Sequence, residues 1–420
     1  MRKSIGYRLF IWGLLLASLL LLWRLNGILT HPKYVPVDDF VRHWASGYIF
    51  ITHGNPYSPE QIQVLQDQVT APFVKAEVIT PNYIPPWTML LLGVFGLFDY
   101  PISRLMWLIF NIILLLVSIE LSWKLYSGPI KYKWLALLIG FSFGSSIAVL
   151  EKGQTTCLVL LGIVGFVYFV EYKPNFWIAG MFSSLITIKP QLFYLFWVAL
   201  LFWSFKQRSL LIVSGCGFTL LALSSITLYF DSKIFTEYLR AFLDYPPTLF
   251  ATPTIGGYLR YYLIGINQFW PQFIPVIVGL IWGVYHWNKH YRIWQWSKEI
   301  PVLIFASIIL SSYCWTYDMV LLVVPVLQAW IWLISARKDR ILGIFSLVHF
   351  LISFLDLILH RYLDDFWFIW FAPATLIWYL LNSNYYKKDI QKYGINDETL
   401  KPNSNYSPPP DMPVFSKPEN

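Results

Sequence analysis

Two adjacent carboxylates open the string Asp38-Asp39-Phe40-Val41-Arg42-His43-Trp44-Ala45-Ser46-Gly47 just past the first apolar run, and Gly54-Asn55-Pro56-Tyr57 follows. A carboxylate fixed at the edge of a membrane bundle is placed to serve as general base for a lipid-borne substrate. A short acid at the start of an amphipathic stretch equally suits a helix N-cap, where it accepts backbone N–H bonds and meets the positive end of the helix dipole. Both readings stand, one member capping and the other facing a cavity. Arg42 and His43 follow Asp39 by three and four residues, so a helix puts them on its side, where they orient it or bind an anion.

Lys189 stands in Ile188-Lys189-Pro190-Gln191, in the middle of an apolar run over 176–204. Burying a cation near mid-bilayer costs roughly 2.5–3.5 kcal/mol, so it should face a cavity, a carboxylate or a phosphate. The plainer reading is that Pro190 breaks the helix and Lys189 snorkels from the half-helix end. Trp315-Thr316-Tyr317-Asp318 sets another ionisable group beside an apolar run, with capping of the next helix as the plain alternative. Gly153-Gln154 between two apolar runs is by itself a turn. Arg240 and Arg260 are suited to neutralising a phosphate or to anchoring lipid headgroups. His286 and His290 lie four apart without a zinc-protease acid, among basic residues, and are read as non-catalytic.

These residues need elements to hold them, and composition says what kind. The 420 residues are 57% hydrophobic, 19% aromatic and 13% charged, too apolar for a soluble domain, whose charged share is about 25%. The apolar runs predict an all-α polytopic membrane protein with spans near 8–28, 83–98, 102–123, 133–150, 154–171, 176–204, 209–229, 271–288, 299–313, 317–335, 340–359 and 366–382, about twelve helices. The first is read as an uncleaved span, since no small-residue cleavage site follows it. Basic clusters at Lys206/Arg208, Lys289/Arg292/Lys298, Arg337/Lys338/Arg340 and Lys387/Lys388/Lys392 then fall on the cytoplasmic side. Lys124, Lys131 and Lys133 fall on the wrong side, which points to a re-entrant pair between 83 and 204. The loops 31–82 and 231–270 face outward, each with an amphipathic stretch that lies in the interfacial plane: Phe40, Trp44 and Tyr48 in one, Ile234, Phe235, Tyr238, Leu239 and Phe242 in the other. Residues 1–386 form one transmembrane domain; 387–420, with Pro408-Pro409-Pro410, read as a disordered cytoplasmic tail. The net charge of +8 is spread in short loop clusters beside anionic lipid and calls for no nucleic acid. Cys157, Cys216 and Cys314 have neither disulfide nor metal-ligand spacing.

Taken in order, Asp39-Phe40 with Ala45-Ser46-Gly47, Gly54-Asn55-Pro56-Tyr57, Tyr83-Ile84-Pro85-Pro86-Trp87, Gly153-Gln154, Lys189-Pro190-Gln191 and Trp315-Thr316-Tyr317-Asp318 resemble glycosyltransferase family 87, of the C-type membrane glycosyltransferases, from about residue 30 to 330. The resemblance implies a polytopic fold of about ten to thirteen helices with interfacial helices in the outer loops, and a polyprenyl-phosphate sugar donor, commonly the mannose form. It makes Asp39 the general base and sets Lys189 and Gln191 on the donor side and Asp318 on the far wall; Asp38, Arg42, His43, Tyr57, Tyr83, Gln154, Trp315 and Tyr317 are expected at the same cavity. Two departures stand out: Tyr317-Asp318 replaces a late motif that often ends in histidines, and Ile84 lengthens the Tyr83 motif by one residue.

The implied reaction fits the residues. A sugar on a lipid phosphate already carries a leaving group, so no nucleotide-binding domain or phosphate-cradling glycine loop is required, and no cofactor or metal is expected. Asp39 removes the acceptor hydroxyl proton as its oxygen attacks the anomeric carbon, giving inversion, while Lys189 with Arg240 or Arg260 stabilises the departing phosphate. The partners are that donor, a lipid or glycan acceptor and membrane lipid, at the outer face of a bacterial inner membrane. The rivals are a flippase or transporter of lipid-linked saccharide, which needs no acid on an interfacial helix, and a surface-polysaccharide polymerase or ligase, which invokes more arginine than Arg240 and Arg260.

Overall fold

The computed structural model describes residues 39–70, 80–207, 210–335 and 339–393, with Arg8, 11–13, Leu15, Ser18 and Leu19 from the first apolar run. Asp38, most of the 8–28 run and the tail beyond Tyr393 lie outside the described residues. The described elements are helices joined by turns, without a strand among them.

Near the N-terminal end, α1 (Phe40–Ile51) is followed by α2 (Pro59–Thr70) and α3 (Met89–Gly96). Gly47 and Gly96 let α1 and α3 touch backbone to backbone, since a Cβ on Gly47 would stand 2.2 Å from the Leu92 carbonyl oxygen and one on Gly96 would stand 2.4 Å from the Tyr48 nitrogen. Small residues at such a crossing are the usual device of helices in membranes. Phe40, Trp44 and Ile49 are thereby buried against Met89, Leu92 and Phe95 and against Tyr100 and Trp107 of α4 (Tyr100–Leu125). Nine of the twelve α1 residues are buried, so its apolar stripe packs on protein instead of lying in the interface.

Next come α5 (Lys133–Ser142), α6 (Gly144–Lys152), α7 (Thr156–Val167), α8 (Phe176–Ile186), α9 (Tyr194–Gln207) and α10 (Leu211–Phe230). α8 and α10 repeat the small-residue contact through Gly180, whose Cβ would meet the Ile212 oxygen at 2.2 Å, and Gly215, whose Cβ would meet the Trp177 oxygen at 2.3 Å. The second long loop carries α11 (Ile234–Asp244), with Leu239 and Leu243 exposed, and leads to α12 (Ile274–His290), α13 (Trp296–Ile309), α14 (Val323–Ser335), α15 (Asp339–Leu359) and α16 (Phe371–Tyr393).

Among the described residues, five helices are long and apolar enough to cross a membrane: Tyr100–Leu125, Leu211–Phe230, Thr316–Ser335, Arg340–Leu359 and Asp365–Lys388. The pair Ile130–Ser142 and Gly144–Lys152, bent by 60°, makes a sixth if it is one span. The other expected segments that lie within the described residues carry shorter pieces. The 83–98 run holds the eight-residue α3, and the 176–204 run splits into α8 and α9 around Lys189-Pro190. A hydropathy run records composition and is silent about where the chain turns, because irregular backbone is tolerated in a bundle wherever protein covers it. The bent pair lies within the 83–204 stretch where a re-entrant pair was expected, and its bend fits a broken span as well as a re-entrant loop. The lysines that sat awkwardly there are partly neutralised, Lys124 and Lys133 reaching Glu120 at 2.9 and 2.8 Å. One face of α4 is apolar and exposed, with Ile102, Leu105, Ile109 and Ile113 outward while Trp107 and Asn111 are buried. α16 runs through the expected tail boundary at 386 to Tyr393.

Candidate active site

Asp39 precedes α1 in helical backbone, φ −64° and ψ −18°, and its side chain makes no capping bond. Its carboxylate is turned elsewhere: Oδ2 accepts from Gln154 Nε2 at 2.7 Å, and Oδ1 lies 3.7 Å from the Arg42 guanidinium. With 32% of the side chain exposed, Asp39 is open on one side and held on the other.

Gln154 reaches it because of the turn before it. Gly153 closes α6 with φ +63°, and a Cβ there would stand 2.6 Å from Phe40 Cβ, so both the left-handed backbone and the approach to α1 require glycine. Two α4 side chains hold this helix end, Arg104 donating to the Leu150 and Glu151 carbonyls at 3.1 and 2.9 Å and Trp107 to the Gly153 carbonyl at 2.7 Å. What looks in sequence like an ordinary turn is therefore fixed against α1 from two sides.

Lys189 sits in the gap between α8 and α9, with Pro190 starting the next turn. Its ammonium donates to Gln154 Oε1 at 2.8 Å, Thr156 Oγ1 at 3.1 Å and Asp318 Oδ1 at 2.7 Å, and it lies 5.0 Å from the Tyr317 ring centre. All three ammonium donors have partners. Lys189 therefore does not snorkel: a cation in an apolar run has found a carboxylate only 3% exposed. Asp318 also closes the turn ahead of α14, its Oδ2 accepting from the Trp315 backbone N–H at 3.2 Å. Asp318 thus serves as the cap and at the same time holds the Lys189 ammonium. The result is a polar chain, Asp39–Gln154–Lys189–Asp318, drawn from four distant segments and capable of holding a base beside a fixed cation.

The remaining expected residues are placed as follows. Arg42, 28% exposed, donates to Thr80 Oγ1 at 3.0 Å and stands beside Asp39. His43 is buried, and that burial pushes its pKa down to about 3, so it has no charge to offer an anion. Tyr57 is buried with its hydroxyl donating to the Ile84 carbonyl at 2.9 Å. Tyr83 joins the two long loops, donating to the Tyr245 carbonyl at 2.7 Å and lying against Phe242. Trp315 stacks near Tyr317 and meets Phe250 edge-on. Gln191 accepts from Ser311 through its backbone oxygen at 3.0 Å. Arg240 is exposed on α11. Arg260 is buried, donating to Gln272 and to the Thr248 and Ile266 carbonyls, so its guanidinium organises the second loop and stands apart from the chain of contacts around Asp39.

Several residues here were not singled out in sequence. Thr156, two positions past Gln154, donates to Asp318 Oδ1 at 2.5 Å, and its place in Gly153-Gln154-Thr155-Thr156 was the available signal. One residue from Trp315, Thr316 meets His360 Nε2 at 2.9 Å, and its backbone N–H donates to Asp365 at 3.1 Å. Burial lowers the His360 pKa, but Asp365 and Asp356 outweigh it and raise the ring above its ordinary value. A histidine thus lies near the Trp315–Asp318 string although none is within it.

The family model for glycosyltransferase family 87 matches residues 83–357. This chain belongs to that family. It is a membrane glycosyltransferase, and no curated protein and no solved structure matches it. The matched stretch begins at Tyr83 and so includes Gln154, Lys189 and Asp318 but not Asp39. What joins Asp39 to the family region is the 2.7 Å bond from Gln154.

Proposed function

We propose that this glycosyltransferase moves a hexose, mannose in the reading favoured here, from a polyprenyl-phosphate donor to a hydroxyl of a lipid or glycan acceptor at the outer membrane face, with inversion. The observation that carries the reading is the half-open Asp39 carboxylate, oriented by a glutamine that is itself held by a buried lysine.

Asp39 Oδ1, free of the Gln154 bond, takes the acceptor proton as the acceptor oxygen forms its bond to the anomeric carbon. The bond from that carbon to the phosphate oxygen breaks with its electron pair leaving on the lipid phosphate. Arg42, partly exposed beside Asp39, is the cation open to that phosphate. Lys189 joins it when the phosphate replaces Gln154 or Thr156 on the ammonium, and Asp318 holds Lys189 in place until then. A single base and one displacement give the inverted product. A lipid-anchored donor also accounts for a site built on a helix packed into a bundle with exposed apolar faces.

The test is the purified protein in proteoliposomes with radiolabelled polyprenyl-phosphate mannose or nucleotide-linked mannose. Transfer from the lipid donor alone, with an inverted product linkage by NMR, is expected. Transfer from the nucleotide donor, or a retained linkage, contradicts the reading.

A further inference from the structure

His286 and His290, set aside in sequence for want of an acid, acquire one in the fold. Both lie near the C-terminal end of α12 and Glu299 lies in the first turn of α13. His286 Nε2 is 2.7 Å from Glu299 Oε2, and one ligand atom from each of the three residues falls within 4.8 Å of the others. Their side chains are sheltered, His286 12% and Glu299 11% exposed. The His286 ring stacks on Trp282 with centres 4.7 Å apart.

His290 carries the decisive detail. Its Nδ1 lies 3.0 Å from the His286 backbone oxygen; a carbonyl only accepts, so Nδ1 carries a proton, and in the neutral ring the bare lone pair is then the one on Nε2. A histidine held through one nitrogen by a backbone carbonyl, with the other nitrogen presented, is how protein metal ligands are oriented. Two histidines four apart on one helix face and a carboxylate from the adjoining helix make three borderline nitrogen and oxygen donors, a set suited to zinc-class divalent ions with a position left for water.

We propose that His286, His290 and Glu299 form a zinc-class divalent-metal site that clasps the α12–α13 hairpin. On binding, the His286–Glu299 hydrogen bond gives way to two coordinate bonds, and the proton leaves His286 Nε2 for Nδ1 or solvent. The site lies away from Asp39. The start of α12 is tied to the segment before Trp315 by the bond from Gln272 to the Ser312 carbonyl, and His286 stands twelve residues after Ile274, about 18 Å along the helix. Its role is to fasten the hairpin, independent of the transfer chemistry.

The experiment takes full-length protein purified in detergent without a polyhistidine tag, stripped with chelator, and titrates it with zinc chloride while calorimetry, metal content and thermal unfolding are read. One equivalent of zinc per chain and a rise in unfolding temperature are expected. His290→Ala, which leaves the His286–Glu299 bond intact, is expected to bind at least about tenfold more weakly and to lose the thermal shift; Glu299→Gln, which keeps a hydrogen-bonding amide, is expected to do the same. Absence of stoichiometric zinc on the wild type, or binding undiminished in both variants, overturns the proposal. Neither result depends on sugar transfer.

Discussion

Lys189 and Asp318 form a buried pair, and their worth is best seen by breaking it. Lys189→Met leaves Asp318 buried without its cation, a loss of the order of 3–5 kcal/mol, whereas Lys189→Met with Asp318→Asn removes both charges. We expect thermal unfolding in detergent to show a large drop for the single variant, substantial recovery for the double one, and no transfer activity in either. Recovery of activity in the double variant would make the pair purely structural. Lys189→Arg is expected to be partly active, since a planar fork does not reproduce three converging ammonium bonds. A second residue-scale expectation concerns His360. Its pKa is raised in the folded protein, so its contribution to stability is complete below the unfolded value of about 6.5 and is lost as pH rises through the folded value. Melting curves above pH 6.5 should therefore show the wild type losing stability relative to His360→Gln, with Asp356 and Asp365 the charged partners responsible. That Asp39, Lys189 and Asp318 would be held by polar partners was legible in sequence because an ionisable group in an apolar setting needs a reason. That the donors of Arg260 and Tyr57 are taken by protein was not legible, because a sequence does not show which partners a donor finds.

Among the elements, the turns around Gly153 and Pro190 do the positioning. Gly153→Ala places a methyl 2.6 Å from Phe40 Cβ at a left-handed φ, a strain of about 1–3 kcal/mol, and it tilts Gln154 away from Asp39. Loss of unfolding temperature together with most of the activity is expected; unchanged turnover would mean that the Gln154 bond is dispensable. The break before α9 was readable because proline marks it. The bend at Phe143 between α5 and α6 carries no proline, and the apolar run passes through it without a change of composition. The amphipathic stretch at Phe40 was readable as a helix, but its burial was not, because periodicity shows that a helix has an apolar face and says nothing about whether protein or lipid covers it.

For the molecule as a whole, the all-helical membrane character was plain from composition, while the number of crossings depended on breaks that hydropathy does not register. With the long loops outward, an impermeant thiol reagent on intact cells should label Ser232→Cys, which is exposed in the second loop, and should label Ser404→Cys only after permeabilisation; Cys157, Cys216 and Cys314 are buried and give little background. The opposite pattern would invert the topology. The whole arrangement converges on one carboxylate, presented by α1 and held by Gln154. The most direct measurement is therefore the transfer rate of Asp39→Asn in proteoliposomes supplied with polyprenyl-phosphate mannose, beside its unfolding temperature. An amide keeps the shape and accepts no proton, so the rate should fall at least about 100-fold with the unfolding temperature close to wild type. Wild-type turnover by Asp39→Asn would contradict the account.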